Sequence, residues 1–224
     1  MNKELETIIK KYSMESHKKL NNYLIEKSKD SLIAALMDLL TMYINDKNSS
    51  TLREFLTVVV AGYKHRESKI GYNGFKQSVF APGRTLQCEA KPKNINTNDK
   101  KIKKLNGGGN FTDYTFGRLK KDKKEKGLNM LISGFIDGKL IYIIEFPFNS
   151  AVFVQHLKRQ LLKRFKEGGD KKGEFLRSAS FHYQHFIEIK KLKIAYLVDK
   201  KELEKHSKYI VKPFFVFLMK KYAK

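Results

Sequence analysis

The sequence predicts a mixed α/β domain, a sheet with helices packed on it, behind a helical N-terminal part. Three observations point there. Apolar residues recur at helical spacing to about residue 60, then shift to strand-like runs from about residue 68. Asp-Gly at 137–138 sits between two apolar runs, a strong hairpin signal. A run of helical periodicity, 151–165, follows that hairpin and precedes further strand-like runs. With 224 residues, 41% of them hydrophobic, the chain can build one domain with an ordinary core.

Ile8, Ile9 and Tyr12, then Leu20, Tyr23 and Leu24, set the first helical spacing. Asp30 or Ser31 caps a second helix bearing Leu32, Ile33, Leu36, Leu39, Leu40 and Tyr43. Residues 45–50 (NDKNSS) make a loop. Thr51 with Glu54 three residues on fits a capping box, opening a helix through Val60 that Gly62 ends. Lys69 to Phe75 and Arg84 to Lys91 predict two strands, with a turn at Ala-Pro-Gly 81–83. A polar stretch from Asn94 to Gly109 ends in three glycines, ahead of a strand at FTDYT. The hairpin spans Met130 to Phe146. Ser150 caps a basic helix with Phe153, Val154, Leu157, Leu161 and Phe165 on one face, and Gly-Gly at 168–169 breaks it. Ser178 to Ile189 and Leu192 to Val198 read as strands. The segment from Tyr209, split by Pro213, reads as strand then helix. The whole is one domain, with 1–61 its helical part and 62–224 its mixed-sheet core.

The charge selects a partner. There are 46 Lys+Arg against 23 Asp+Glu, a net +23, and only seven of the basic residues are Arg. A lysine-rich codon bias explains Lys over Arg. It does not explain the excess, because the same bias raises Asp and Glu. A polyanion, nucleic acid first, is the expected partner. The single Cys88 allows no internal disulfide and no cysteine zinc site, which predicts a cytoplasmic protein. The start is charged throughout, unlike a signal peptide, and no apolar run reaches a membrane span. P-loop, Gly-x-Ser-x-Gly and dinucleotide patterns are absent from the sequence.

The sharpest local signal is CEAKPKN, Cys88 to Asn94. Strand alternation puts Glu89 and Lys91 on one face. A carboxylate can hold a divalent cation. An adjacent ammonium can position water and neutralise charge on a phosphate. In a lysine-rich chain the same pair also arises as an ordinary ion pair on a strand.

A strand, a turn and a strand ending in Glu-x-Lys, written Glu-x-Lys-Pro-Lys-Asn, resembles the PD-(D/E)XK nucleases, in particular type II restriction endonucleases. The resemblance covers about residues 60–200. It implies a restriction-endonuclease-like mixed β-sheet flanked by helices, Mg2+ or another divalent metal, double-stranded DNA as substrate, a homodimer and a companion DNA methyltransferase. It also implies an acid on the preceding strand, where this chain has Asn73. An amide oxygen ligates Mg2+ without charge, so one carboxylate and one amide hold it more weakly than two carboxylates. Glu67, Glu54 and Asp113 are the candidate replacements, with Asp113 in GGGNFTDYT preferred. A second arrangement runs from Asp113 to Glu145 in EFPF, but Pro147 stands where the Lys belongs. Glu145 shares the buried face of Ile143 and needs a cation or a metal there.

The expected catalytic set is therefore Glu89, Lys91, Asn73 and Asp113, with Glu89, Asn73 and Asp113 on the metal. Expected DNA contacts are Lys93, Arg118, Lys158, Arg159, Arg177, Ser178, His182 and His185. His182 and His185, three apart on a predicted strand, point to opposite sides. Two alternatives stand beside the restriction enzyme. One is a non-catalytic DNA- or RNA-binding protein. The other is a repair or phage nuclease of the same fold without a fixed site.

Overall fold

The computed structural model describes residues 3–45, 50–66, 71–79, 81–100, 103–166 and 169–222. Four helices come first: α1 (Lys3–Met14), α2 (His17–Ile25), α3 (Lys29–Asn45) and α4 (Thr51–Val60). The core follows in the order β1 (Lys64–His65), β2 (Gly74–Gln77), β3 (Thr85–Ile95), β4 (Gly109–Tyr114), α5 (Phe116–Lys124), β5 (Leu128–Ile136), β6 (Lys139–Pro147), α6 (Ala151–Arg164), β7 (Leu176–Phe181), β8 (Lys193–Leu197), α7 (Lys200–Lys205) and α8 (Lys212–Met219).

Six strands form a mixed sheet in the order β1-β2-β3-β5-β6-β8. The β3–β5 pair is parallel and the other neighbours are antiparallel. β5 is buried along nearly its whole length, which explains its continuous apolar run LNMLISGFI. The β5–β6 hairpin turns where expected. Asp137 (φ 48°) and Gly138 (φ 77°) both take the left-handed conformation that a two-residue turn needs. Pro92 sits inside β3 at no cost to the sheet, because β2 ends opposite Cys88 and leaves that edge open.

Alternation splits the sheet's side chains between two layers. Cys88, Ala90, Leu131, Phe135 and Ile143 pack under α1 and α4 with Leu5, Ile9, Phe55, Leu56 and Val58. Met130, Ile132, Ile144 and Phe146 face the opposite layer, built from α6, α8 and a separate two-stranded ribbon, β4–β7. The ribbon contributes Phe111, Ala179 and Phe181 to that core.

Several expectations need correction. Thr51 is the first helical residue rather than the cap; Ser50 stands at the cap, and the Glu54 side chain turns to Asn73. Ser150 precedes α6 but spends its hydroxyl on the Pro147 carbonyl. The first predicted strand begins later, at Gly74, and its expected start at 69–70 lies outside the described residues. Residues 46–49 of the predicted loop and Gly168 of the predicted breaker also lie outside them. The strand expected over 178–189 stops at Phe181 and becomes a 3-10 turn over Tyr183–His185. At the C-terminus only a bridge between Ile210 and Leu105 replaces the expected strand, and Pro213 opens α8 in its first turn, where its missing N–H costs nothing. Among the described residues, no helix is long and apolar enough to cross a membrane.

Candidate active site

β3 carries Glu89, Lys91 and Lys93 toward the ribbon layer. The Lys91 Nζ lies 2.8 Å from Glu89 Oε1. Glu89 is only 6% exposed, so its charge needs compensation from protein groups. A second cation comes from α5. Thr115 caps that helix by accepting from the Arg118 amide, which sets the first turn beside β3. Arg118 Nη2 then reaches to 3.5 Å from Glu89 Oε1.

One turn along α5 stands Asp122, 4% exposed. Its Oδ2 is 3.8 Å from Arg118 Nε. Tyr72 donates to its Oδ1 at 3.0 Å, and the Tyr114 hydroxyl lies 3.5 Å from Oδ2. Burial pushes the Asp122 carboxyl above its ordinary range, the Tyr72 hydrogen bond and Arg118 pull it back, and nearby Glu89 adds to the rise. One guanidinium therefore spans two buried carboxylates from different elements. The Phe111 ring lies under both cations, 4.9 Å from Lys91 Nζ and 5.5 Å from the Arg118 guanidinium.

The three glycines explain how the ribbon reaches this strand. A Cβ on Gly109 would stand 2.8 Å from Lys91 Cβ and 2.8 Å from Phe181 Cζ. Gly107 takes φ 61° against Phe214 and Tyr183. The backbone approach expected of this stretch is thus an approach to Lys91 and to the ribbon core.

The other expected site residues lie elsewhere. Asn73 accepts from the Ala90 amide at 2.8 Å and donates to Glu54 Oε2 at 3.2 Å. Its amide prolongs β2 by one rung along β3, so its oxygen is committed to backbone rather than offered to a metal. Asp113, with φ 51°, stands across from Arg177 between the pairs Thr112–Ser178 and Tyr114–Leu176, and its left-handed backbone breaks the strand's alternation. Phe111 and Tyr114 are both buried, and Asp113 is exposed, lining an outer groove. Glu67 lies outside the described residues. Glu145 is buried on the opposite face of the sheet. It is held by Tyr63 at 2.7 Å, Lys193 at 3.1 Å and Lys76 at 3.6 Å.

Of the expected DNA contacts, Lys158, Arg159, Arg177 and Ser178 are exposed. Lys93 is half-buried and donates to Asn106 at 3.2 Å, with burial, then Lys103, holding its ammonium below the ordinary range. The 3-10 turn after β7 brings His182 and His185 together rather than apart, their rings 4.1 Å from centre to centre. His156 of α6 stacks on His185, and burial with these two neighbours pushes His185 down to about 4.

Asp122 and Tyr72 are the site residues that sequence reasoning missed. Asp122 hides in the lysine run KKDKK. Its signal was the i, i+4 spacing from Arg118 behind a Thr115 cap.

The donor set suits a hard divalent cation in kind: carboxylate oxygens with a phenol nearby. Both cations meet Oε1 of Glu89, leaving Oε2 open to a ligand. Among the described residues, no cluster of three or more His, Cys, Asp or Glu is arranged for a metal, so the carboxylates on offer are two. Compared with family models, curated proteins and solved structures, the chain matches none.

Proposed function

We propose that the chain is a divalent-metal-dependent endonuclease of restriction-endonuclease-like fold, cutting both strands of duplex DNA at a short sequence. One observation carries the reading. A buried carboxylate, Glu89, is placed with Lys91 on a sheet strand, and Arg118 joins it to a second buried carboxylate, Asp122, in a chain of net charge +23. The mixed sheet with helices on both faces supports the same fold.

Glu89 and Asp122 would hold the metal, which supplies Lewis-acid polarisation of the phosphate and activation of water. Lys91 orients the attacking water and offsets negative charge developing on the phosphate. Arg118 occupies the cation position between the carboxylates. Its side chain is 38% exposed, so it can turn outward to the phosphate without first being unburied.

A homodimer fits a two-fold DNA target. Ile33, Leu36, Met37 and Leu40 form an exposed apolar stripe along α3. Residues 1–50 carry eight Lys against seven acids, leaving +22 on the rest. Two copies can therefore meet there with little repulsion. A restriction role also requires a companion methyltransferase protecting the same DNA in the cytoplasm.

A second reading, a non-catalytic DNA- or RNA-binding protein, draws on the pairing of both carboxylates with protein cations. A plasmid digest with Mg2+ or EDTA separates the two, using the wild type, Glu89→Gln, Asp122→Asn and Asp113→Ala. Discrete fragments that need Mg2+, vanish in the first two variants and survive Asp113→Ala are expected. A smear points to a nuclease of this fold without a fixed site. DNA retarded in a gel but uncut in every divalent metal leaves the binding protein.

A further inference from the structure

We propose that the outer face of the β4–β7 ribbon reads base edges in the DNA major groove, an inference that rests on the duplex-DNA partner of the reading just given. Inward, the ribbon is apolar, with Phe111, Ala179 and Phe181 buried. Outward it presents Asn110, Thr112, Ser178 and Ser180, all exposed. The register pairs Asn110 with Ser180 and Thr112 with Ser178, so the four side chains form one compact patch.

The character of the patch distinguishes it from ordinary solvated surface. The chain has 46 Lys+Arg, and exposed lysines crowd α5 at Lys120, Lys121, Lys123 and Lys124. The ribbon patch carries none. It is built from small, uncharged donors and acceptors, the types that read base edges rather than phosphates. Charged groups stand beside it. An open groove of about 550 Å³ is lined by Asn110, Thr112, Asp113, Phe175, Arg177 and Ser178. Arg177 matches the acceptors of guanine, and Asp113, turned out by its left-handed backbone, matches the amino donor of cytosine.

Shape and support agree. A two-stranded ribbon fits the major groove, which is roughly 12 Å wide. The free edge of β7 is closed by α6. Gln160 both accepts from the Ser180 amide at 3.0 Å and donates to its carbonyl at 2.8 Å, and His156 lies 2.8 Å from the same carbonyl. At Ser180, pairing with an added peptide strand is blocked and the ribbon is held rigid. Gly109 seats the ribbon on Lys91, which fixes the distance from the bases being read to the bond being cut. Exposed Lys158 and Arg159 on α6 are left for the phosphates.

The test uses the full chain, with Asn110→Ala, Ser178→Ala and Lys158→Ala beside the wild type. Sequence preference is read twice: by selecting bound duplexes from a random pool in EDTA, and by sequencing cut ends in Mg2+. The ribbon variants should melt with the wild type and lose roughly ten- to a hundred-fold of discrimination at particular base positions. Lys158→Ala should weaken binding to all sequences alike. If the wild type cuts at a defined site and both ribbon variants keep its full preference, the ribbon inference fails and the nuclease reading stands. If nothing is cut but the ribbon variants shift the bound sequences, the nuclease reading fails and the ribbon inference stands. A wild type that binds and cuts all sequences alike overturns the inference.

Discussion

Replacing Gly109 with Ala tests how the ribbon and β3, the strand of the proposed site, are joined. The new Cβ would meet Lys91 Cβ and Phe181 Cζ, each at 2.8 Å. Neither can yield easily. Phe181 is 3% exposed, and the Lys91 Cβ is the root of its side chain rather than a flexible end. Overpacking of this kind costs about 1–3 kcal/mol. In a domain of this size 1 kcal/mol lowers Tm by about 2–4 °C, so Gly109→Ala should melt about 2–12 °C below the wild type. The strain falls on Lys91, whose Nζ sits 2.8 Å from Glu89. A displacement near 1 Å costs roughly a hundred-fold in rate, so cleavage should fall further than stability accounts for. Gly169→Ala is the control, because a Cβ there meets nothing within 4 Å and the backbone needs no positive φ. Calorimetry and single-turnover cleavage read the two effects. A Gly109→Ala protein that melts and cuts like Gly169→Ala would refute the close seating of the ribbon.

Glu145→Ala should destabilise by about 1–3 kcal/mol in urea unfolding, because it takes the acceptor from the buried Tyr63 hydroxyl and the partner from half-buried Lys76; a loss under about 1 kcal/mol would show that cluster to be slack. Asp122→Asn should change the pH dependence of stability. Burial raises the folded carboxyl above its ordinary 3.8, so this group's contribution is fully present below that value and is lost as pH rises through the raised one. Urea midpoints from pH 3 to pH 8 should therefore fall less with rising pH in Asp122→Asn than in the wild type, and parallel curves would contradict the raised carboxyl. For phosphate contact, Lys158→Ala and Arg159→Ala should each reduce the slope of log K against log salt by about one, and an unchanged slope would remove those residues from the DNA surface.

Local signals were legible wherever chemistry and geometry sit close in sequence. Asp137-Gly138 marked its turn because few residue pairs accept two positive φ angles, and the α6 stripe marked its buried face. Glu89 and Lys91 were readable as a pair because alternation alone decides that they share a face. The rest depended on contacts distant in sequence. Nothing near Asp122 tells that Tyr72, fifty positions earlier, donates to it. The pairing of β4 with β7 crosses the entire β5–β6 hairpin and α6. Asp113 faces outward because its left-handed backbone, invisible in FTDYT, breaks the alternation. Asn73 stood at the right distance from Glu89, yet its amide found a backbone donor before any metal.

Glu89 and Glu145 show why burial alone does not mark a carboxylate as a candidate site residue. Both are almost fully buried, and both touch two cations. Around Glu145 the partners come from three separate places, β2, β8 and the residue before β1. Tyr63 is itself braced by Asn129 at 2.9 Å, and Lys76 lies 3.7 Å from the centre of its ring. Freeing that carboxylate means breaking the Tyr63 hydrogen bond and two lysine contacts, one of them to the exposed Lys193. Around Glu89 both contacts converge on one oxygen, and Arg118, the cation shared with Asp122, is the more exposed of the two. Moving that guanidinium releases one contact from each of two carboxylates, while Lys91 stays on Glu89 and Tyr72 on Asp122. A site that must exchange a protein cation for a metal and a phosphate gains from one cation shared by two carboxylates, and of the two clusters the Glu89 side of the sheet has that arrangement.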